Sequence, residues 1–442
     1  MAEAILRPPG PKGRHFVDSP LLGGEGALVN LPRMASRYGD VSFWQFLHVS
    51  TYFFAHPDQI ESVLVTQHRS FTKGIGTRAN PELFGNGLLT SEGEFWLRQR
   101  RLSQPAFHRT RIASYADVMV REAERRLDGW RDGEVLDIHR EMMETTLAIA
   151  TRTLFGVDLG PKMPVVADAL DAFIRQNAGI SVWRLFLKLP TPTRLRFLRG
   201  VRALDDIVYG IIRERRASGM GDDLLSDLLR AQDEDGSFMT DQQLRDEVMT
   251  MLLAGHETTA LALSWAWYLL VTHPEAQAEL HQEVDRVLSG RALAASDVAR
   301  LAFTNNVIRE TMRLYPPAWL MTRRAAEKVE IGGYVVPVGS NIIVSPWVTH
   351  RDARFFPSPE AFKPERWADE RMQAVPKFAY FPFGGGPRAC IGNNFALMEA
   401  SILLAAVAQR FQINLVAGAT VEPMPSITLR PRNGVPVRLR RR

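Results

Sequence analysis

Between Met249 and Val271 the chain runs for 23 residues of mostly apolar character, and His256 and Glu257 stand near the middle of that run. Such a stretch suits a bilayer or the interior of a large protein. In a bilayer an unpaired carboxylate at mid-depth costs several kcal/mol, so the segment reads as the core helix of a large protein passing a buried polar site. The rest of the chain must supply the surroundings. Its 442 residues, 45% hydrophobic and 23% charged, are enough to bury such a core. No segment has the polar, low-complexity composition of a linker, so residues 1–442 are expected to form a single large domain, with 1–14 as a flexible amino-terminal segment.

The periodicity around the core helix is mixed. Val41–Leu47 and Ser50–Phe54 read as short strands, followed by a helix start at His56-Pro57-Asp58. From about 92 to 313 the pattern is helical, broken at Pro105, 156–164, 190–192, 219–221, 233–236 and Pro274. Residues 329–344 alternate around Gly332-Gly333 and read as paired strands. Residues 351–389 are rich in Pro, Phe and Arg without periodicity, which calls for a functional reason. Leu397–Phe411 returns to helix, and 412–442 ends in short strands. The fold class is mainly α with small β-sheets, without internal repeats.

Net charge is +5, with 47 arginines against 7 lysines. No aromatic-basic stripe, zinc spacing or recognition-helix pattern accompanies that charge, so nucleic acid is not expected as a partner. A lone cysteine excludes an intrachain disulfide and suits a reducing cytoplasm. The amino-terminal residues carry no apolar run long enough for a signal peptide or transmembrane anchor, and a soluble cytoplasmic protein is expected.

That cysteine, Cys390, lies in Phe383-Gly-Gly-Gly-Pro-Arg-Ala-Cys390-Ile-Gly392. Glycines let backbone N–H groups crowd the sulfur, Arg388 offers positive charge, and the helix expected to start at Gly392 would present its positive dipole end. All three effects lower a thiol pKa. Phe383, Gly386, Arg388, Cys390 and Gly392 fit F-x-x-G-x-R-x-C-x-G, and this loop resembles the haem-binding loop of the cytochrome P-450 family. The resemblance extends over nearly the whole chain. It implies a P-450 fold and haem b, with Cys390 as the axial iron ligand, whose thiolate pushes electron density onto iron and favours O–O cleavage.

Further residues take roles from the same resemblance. Ala254-Gly-His-Glu-Thr-Thr259 is similar to the family's oxygen-binding groove. Gly255 weakens the helix and Thr258 can bond a carbonyl one turn back, so a bulge is expected there. Glu257 and Thr258 would relay protons as acid and alcohol. A zinc-protease reading of His256-Glu257 fails because position 260 is alanine. Glu310 and Arg313, with Arg366 of Pro364-Glu-Arg-Trp367, would form a buried structural network serving haem incorporation. Trp96, Arg100, Arg323 and Arg388 are the candidates for the haem propionates, Arg324 competing with Arg323 for register. Arg98, Arg101, Arg109 and Arg111 would form a basic patch for an acidic donor, a ferredoxin or flavodoxin with its reductase, since no flavin or nicotinamide segment is present.

The implied activity is monooxygenation of a lipophilic small molecule, a fatty acid or a terpenoid, over a pocket covered by residues 71–90 and 163–209. A peroxide-using haem-thiolate oxygenase and a non-catalytic haem sensor or carrier are the alternatives. Retention of Glu257 and Thr258 argues against the first, and the second would need the cysteine loop but not that pair.

Overall fold

The computed structural model describes residues 7–11, 24–46, 48–74, 80–177, 191–232 and 236–442. Its centre is the helix Asp241–Thr272, opened by a capping box in which Thr240 and Gln243 satisfy each other's backbone N–H groups. That helix is buried nearly all round, as its composition requires. It packs along Ile138–Leu154 and touches Pro192–Ser218, Ala302–Leu314 and Asn393–Arg410. Trp265 and Trp267 on it are fully buried. No helix among the described residues is long and apolar enough to cross a membrane.

A five-stranded sheet flanks the helical body in the order Val41–Phe46, Val49–Phe54, Asn341–Val344, Met321–Ala325, Phe71–Lys73. The first hairpin is antiparallel, with Val41 opposite Phe54, while Asn341–Val344 joins parallel to Val49–Phe54. Gly332 and Gly333, both at positive φ, turn the hairpin Val329–Ile331/Tyr334–Val336. The alternating stretch 329–344 therefore contributes to two sheets, and Met321–Ala325 is a strand that periodicity did not reveal. So is Val135–Asp137, an edge strand beside Pro436–Arg441, which in turn pairs with Phe411–Leu415. The helical reading of 92–313 also ran through two further interruptions, at 128–134 and 289–301. Three residues of strand are too short to impose a period on the sequence.

Residues 351–389 contain only short 3-10 turns, of which Pro364–Ala368 packs on Ala302–Leu314. The expected amino-terminal segment 1–14 and the break at 233–236 lie largely outside the described residues. So do parts of the expected pocket cover, 75–79 and 178–190.

Candidate active site

The cysteine loop is folded by its glycines. Gly386 sits at φ +66, and a Cβ there would collide with the Leu64 carbonyl oxygen, so the loop closes against the 62–66 turn only with glycine at that position. Within the loop the Cys390 N–H donates to the Phe383 carbonyl at 2.9 Å, and Ala389 N–H donates to Gly386 at 3.0 Å. Gly392 is the N-cap of Asn393–Arg410, and its N–H points at the sulfur. Cys390 is a free thiol whose side chain is exposed. It nevertheless lies deep enough that burial pushes its pKa up, against the Gly392 N–H and the Arg100 cation. The expected lowering does not occur in the protein alone. A thiol so placed is a weak free nucleophile, and a metal cation bonded to it would deprotonate it outright.

Arg388 is held at the start of Gly93–Ser103. Its guanidinium donates to the Ser91 carbonyl at 2.8 Å, pairs with Glu92 and lies 3.8 Å from the centre of the Trp96 ring. The cation beside Cys390 is Arg100, which donates to the Ala389 carbonyl at 3.1 Å. Trp96 and Arg100, four residues apart on Gly93–Ser103, thus reach the loop by different routes.

On the Arg388 side a cluster of cations gathers. Arg323 and Lys73 face each other across paired strands, and burial, Arg323 and Arg388 together push the Lys73 amine down to about 7, with Glu92 the opposing carboxylate. Burial also lowers Arg323. Arg324 is exposed, so strand alternation selects Arg323 as the inward residue. Three cations against one carboxylate suit a ligand bearing two acid groups, and with the thiol cradle they fit a haem.

In the long helix Ala254 is exposed, and Gly255 and Thr258 are half-buried, amid buried neighbours. This strip, at spacing i, i+1, i+4, faces open space. The Thr258 hydroxyl donates to the Ala254 carbonyl at 3.0 Å, yet the backbone stays α-helical without the expected bulge. Glu257 accepts from the Thr428 hydroxyl at 2.5 Å and forms an ion pair with Arg430 at 2.8 Å.

Glu310 binds both arginines. Arg313 donates to it at 2.9 and 2.8 Å and Arg366 at 2.9 Å. Trp367 Nε1–H and Lys363 N–H complete its shell at 3.0 Å each. Glu310 and Arg313 are wholly buried. In the basic patch, Arg111 is taken up by Asp222 and Asp227, and Arg98 reaches the Ser237 hydroxyl at 3.5 Å.

Sequence reasoning missed Lys73, Glu92, Thr428 and Arg430, which carry no local pattern; Lys73 and Arg430 arrive through strand pairing, Thr428 through the turn beside Arg430's strand, and Glu92 as the N-cap of Gly93–Ser103. Trp367 stood in the quoted Pro364–Trp367 segment and was legible there.

Comparison with known proteins agrees with this geometry. The family description Cytochrome P450 matches residues 8–435. Cyclooctatin synthase of Streptomyces melanosporofaciens is 43% identical over 91% of this chain and 88% of that protein. Cyclooctat-9-en-7-ol 5-monooxygenase of the same organism is 37% identical over 91% and 89%. Pentalenene oxygenase of Streptomyces avermitilis is 36% identical over 89% and 88%. With the thiol loop, the long helix and the Glu310 network all on one fold that this match spans, the chain belongs to the cytochrome P450 family.

Proposed function

We propose that this protein is a haem b monooxygenase of the cytoplasm that hydroxylates a cyclic terpenoid, with Cys390 as the iron ligand. The observation that carries the reading is the Cys390 thiol, cradled by glycine backbone, met by the Gly392 N–H and flanked by Arg100. The haem, when bound, supplies oxygen activation, and its thiolate ligand favours O–O cleavage. Lys73, Arg323 and Arg388 would hold its two carboxylates, with Trp96 stacked on Arg388. The exposed Ala254 and half-buried Thr258 border the space where substrate would lie, Thr258 offering a hydroxyl that passes a proton without becoming charged. Arg98, Arg101 and Arg109 would receive an acidic ferredoxin or flavodoxin, itself reduced by a separate reductase.

Of the two lipophilic classes left open by sequence, terpenoid is favoured by the relatives, whose names specify a cyclic alkenol and pentalenene. A ferrous carbon monoxide difference spectrum tests the ligand: wild type is expected to show the thiolate band, and Cys390→His to lose it. A terpene and fatty-acid panel, read as displacement of the iron-bound water, tests the substrate. Response to fatty acids alone would overturn the terpenoid assignment, and failure to take up haem would overturn the whole reading.

A further inference from the structure

Two residues before the cysteine loop opens at Phe383, the chain is pinned by a side chain rather than by a peptide group. The Phe381 N–H donates to Nε2 of His350 at 2.9 Å. A peptide N–H can only donate, so that ring nitrogen is the acceptor and the imidazole proton sits on Nδ1. His350 is fully buried. Burial, then the Arg313 and Arg351 cations, push its pKa down to about 3, against the backbone of Met312, so the ring stays neutral and the acceptor is kept at ordinary pH. Its backbone is fixed as firmly. The His350 N–H donates to the Pro346 carbonyl at 2.9 Å, and its carbonyl accepts Arg313 Nη1–H at 3.0 Å, which ties it to the Glu310 network. The ring lies 5.0 Å from that of Tyr380 and meets Phe381 edge-on at 5.3 Å, and the Tyr380 hydroxyl donates to the Arg309 carbonyl at 3.1 Å. Beyond Phe381 the path to the sulfur is short: the Phe381 carbonyl accepts the Gly384 N–H, and the Phe383 carbonyl accepts the Cys390 N–H, each at 2.9 Å.

Resting on the reading of Cys390 as the iron ligand, we propose that His350 is a positioning residue for that ligand, its carbonyl holding the Arg313 guanidinium and its Nε2 the Phe381 N–H, so that the buried network fixes the entry of the loop that presents the sulfur. The role asks for one thing of the side chain, an acceptor at the place of Nε2. A ring of similar size without that nitrogen frees the Phe381 N–H and loosens the loop. A different side chain that sets an oxygen there restores it.

Two substitutions separate that bond from packing. His350→Phe keeps a ring against Tyr380 and Phe381 and removes the acceptor, whereas His350→Gln removes the ring and can place its Oε1 where Nε2 lay. Hydrogen exchange of the Phe381 amide in the haem-free protein reads the bond directly: slow in wild type and His350→Gln, fast in His350→Phe. In the haem-loaded protein, His350→Phe should pass haem to apomyoglobin about 10–100-fold faster, the scale on which groups behind a metal ligand act, and should lose part of the thiolate band in the ferrous carbon monoxide spectrum. His350→Gln should transfer haem as slowly as wild type and keep the full band, even where its melting midpoint falls as far as that of His350→Phe. Should His350→Phe fail to fold, His350→Asn, too short to reach the Phe381 N–H, takes its place. Wild-type transfer and band in the variant without the acceptor overturn the proposal, and so does an equal loss in His350→Gln with its Phe381 amide still protected. A wild type that shows no thiolate band would instead overturn the reading of Cys390 beneath it.

Discussion

Replacing Glu310 by glutamine probes the buried network at its centre. The carboxylate accepts five hydrogen bonds, two from Arg313 and one each from Arg366, Trp367 and the Lys363 backbone. Glutamine keeps the shape but offers one acceptor oxygen, and its NH2 group meets other donors. Two guanidinium groups would then share no counter-charge. Removing one partner from a buried pair destabilises by about 3–5 kcal/mol. Unfolding entropy near 2.1 cal/mol/K per residue gives roughly 0.9 kcal/mol/K over this chain, so the midpoint should fall by about 3–5 °C. Circular dichroism melts of the haem-free protein give the midpoint, and Soret absorbance per polypeptide gives haem occupancy. The control is Arg216→Gln, which breaks a 2.6 Å pair with Asp241 whose side chains are 44% and 59% exposed. That pair contributes at most about 1 kcal/mol, or roughly 1 °C by the same conversion. Equal shifts for the two variants would refute the claim that burial, rather than ion pairing as such, gives the network its weight.

Gly386→Ala places a Cβ against the Leu64 carbonyl at φ +66 and should lower haem occupancy, whereas Gly210→Ala, in open space within Pro192–Ser218, should stabilise by about 0.5–1 kcal/mol; Soret absorbance and melts distinguish them. Arg323→Leu should speed haem transfer to apomyoglobin by about tenfold or more, the equivalent of losing one charge-assisted hydrogen bond, and Arg324→Leu should leave it unchanged. The Lys73 amine at about 7 lies below its unfolded value, so the unfolded chain binds more protons between pH 7 and 10. Stability of the haem-free protein should therefore rise across that window, and urea midpoints should show Lys73→Met flattening the rise. Thr258→Ala should lower product per electron while leaving substrate-induced spectral shifts in place, since its hydroxyl bonds only the Ala254 carbonyl among the described residues.

Legibility followed the range over which each feature is encoded. The long helix was readable because 23 apolar residues with a central polar pair leave few alternatives, and the cysteine loop because its demands on backbone geometry fall within ten residues. The Glu310–Arg313 pair is a one-turn contact, legible as spacing. Arg366 joined it only through a matching pattern, since nothing local tells a chain that residue 366 will return beneath residue 310. The partners of Glu257 lie more than 170 residues away, on or just before a strand of three residues, and no periodicity announces them. Arg388 shows the opposite failure: two residues from the sulfur in sequence, its guanidinium is held by Trp96, Glu92 and the Ser91 carbonyl.

The arrangement of charge explains why the site's groups are separated as they are. A carboxylate near Cys390 would oppose formation of its thiolate, and a second cation would compete with the metal for it; the cation acting on the sulfur is Arg100, tied to a neighbouring carbonyl. The surplus cations are set apart, in strand register with one another, where they share Glu92. Glu257 is placed on the long helix but paired from behind by Arg430, so its own charge is not left bare beside Ala254 and Thr258. An apolar substrate can enter such a space without desolvating an ion, a penalty that would exceed what its own buried surface returns. Selectivity for a lipophilic molecule is thus built partly from contacts made far from it, and introducing charge at Ala254 should abolish binding of any uncharged terpenoid while leaving the thiolate spectrum intact.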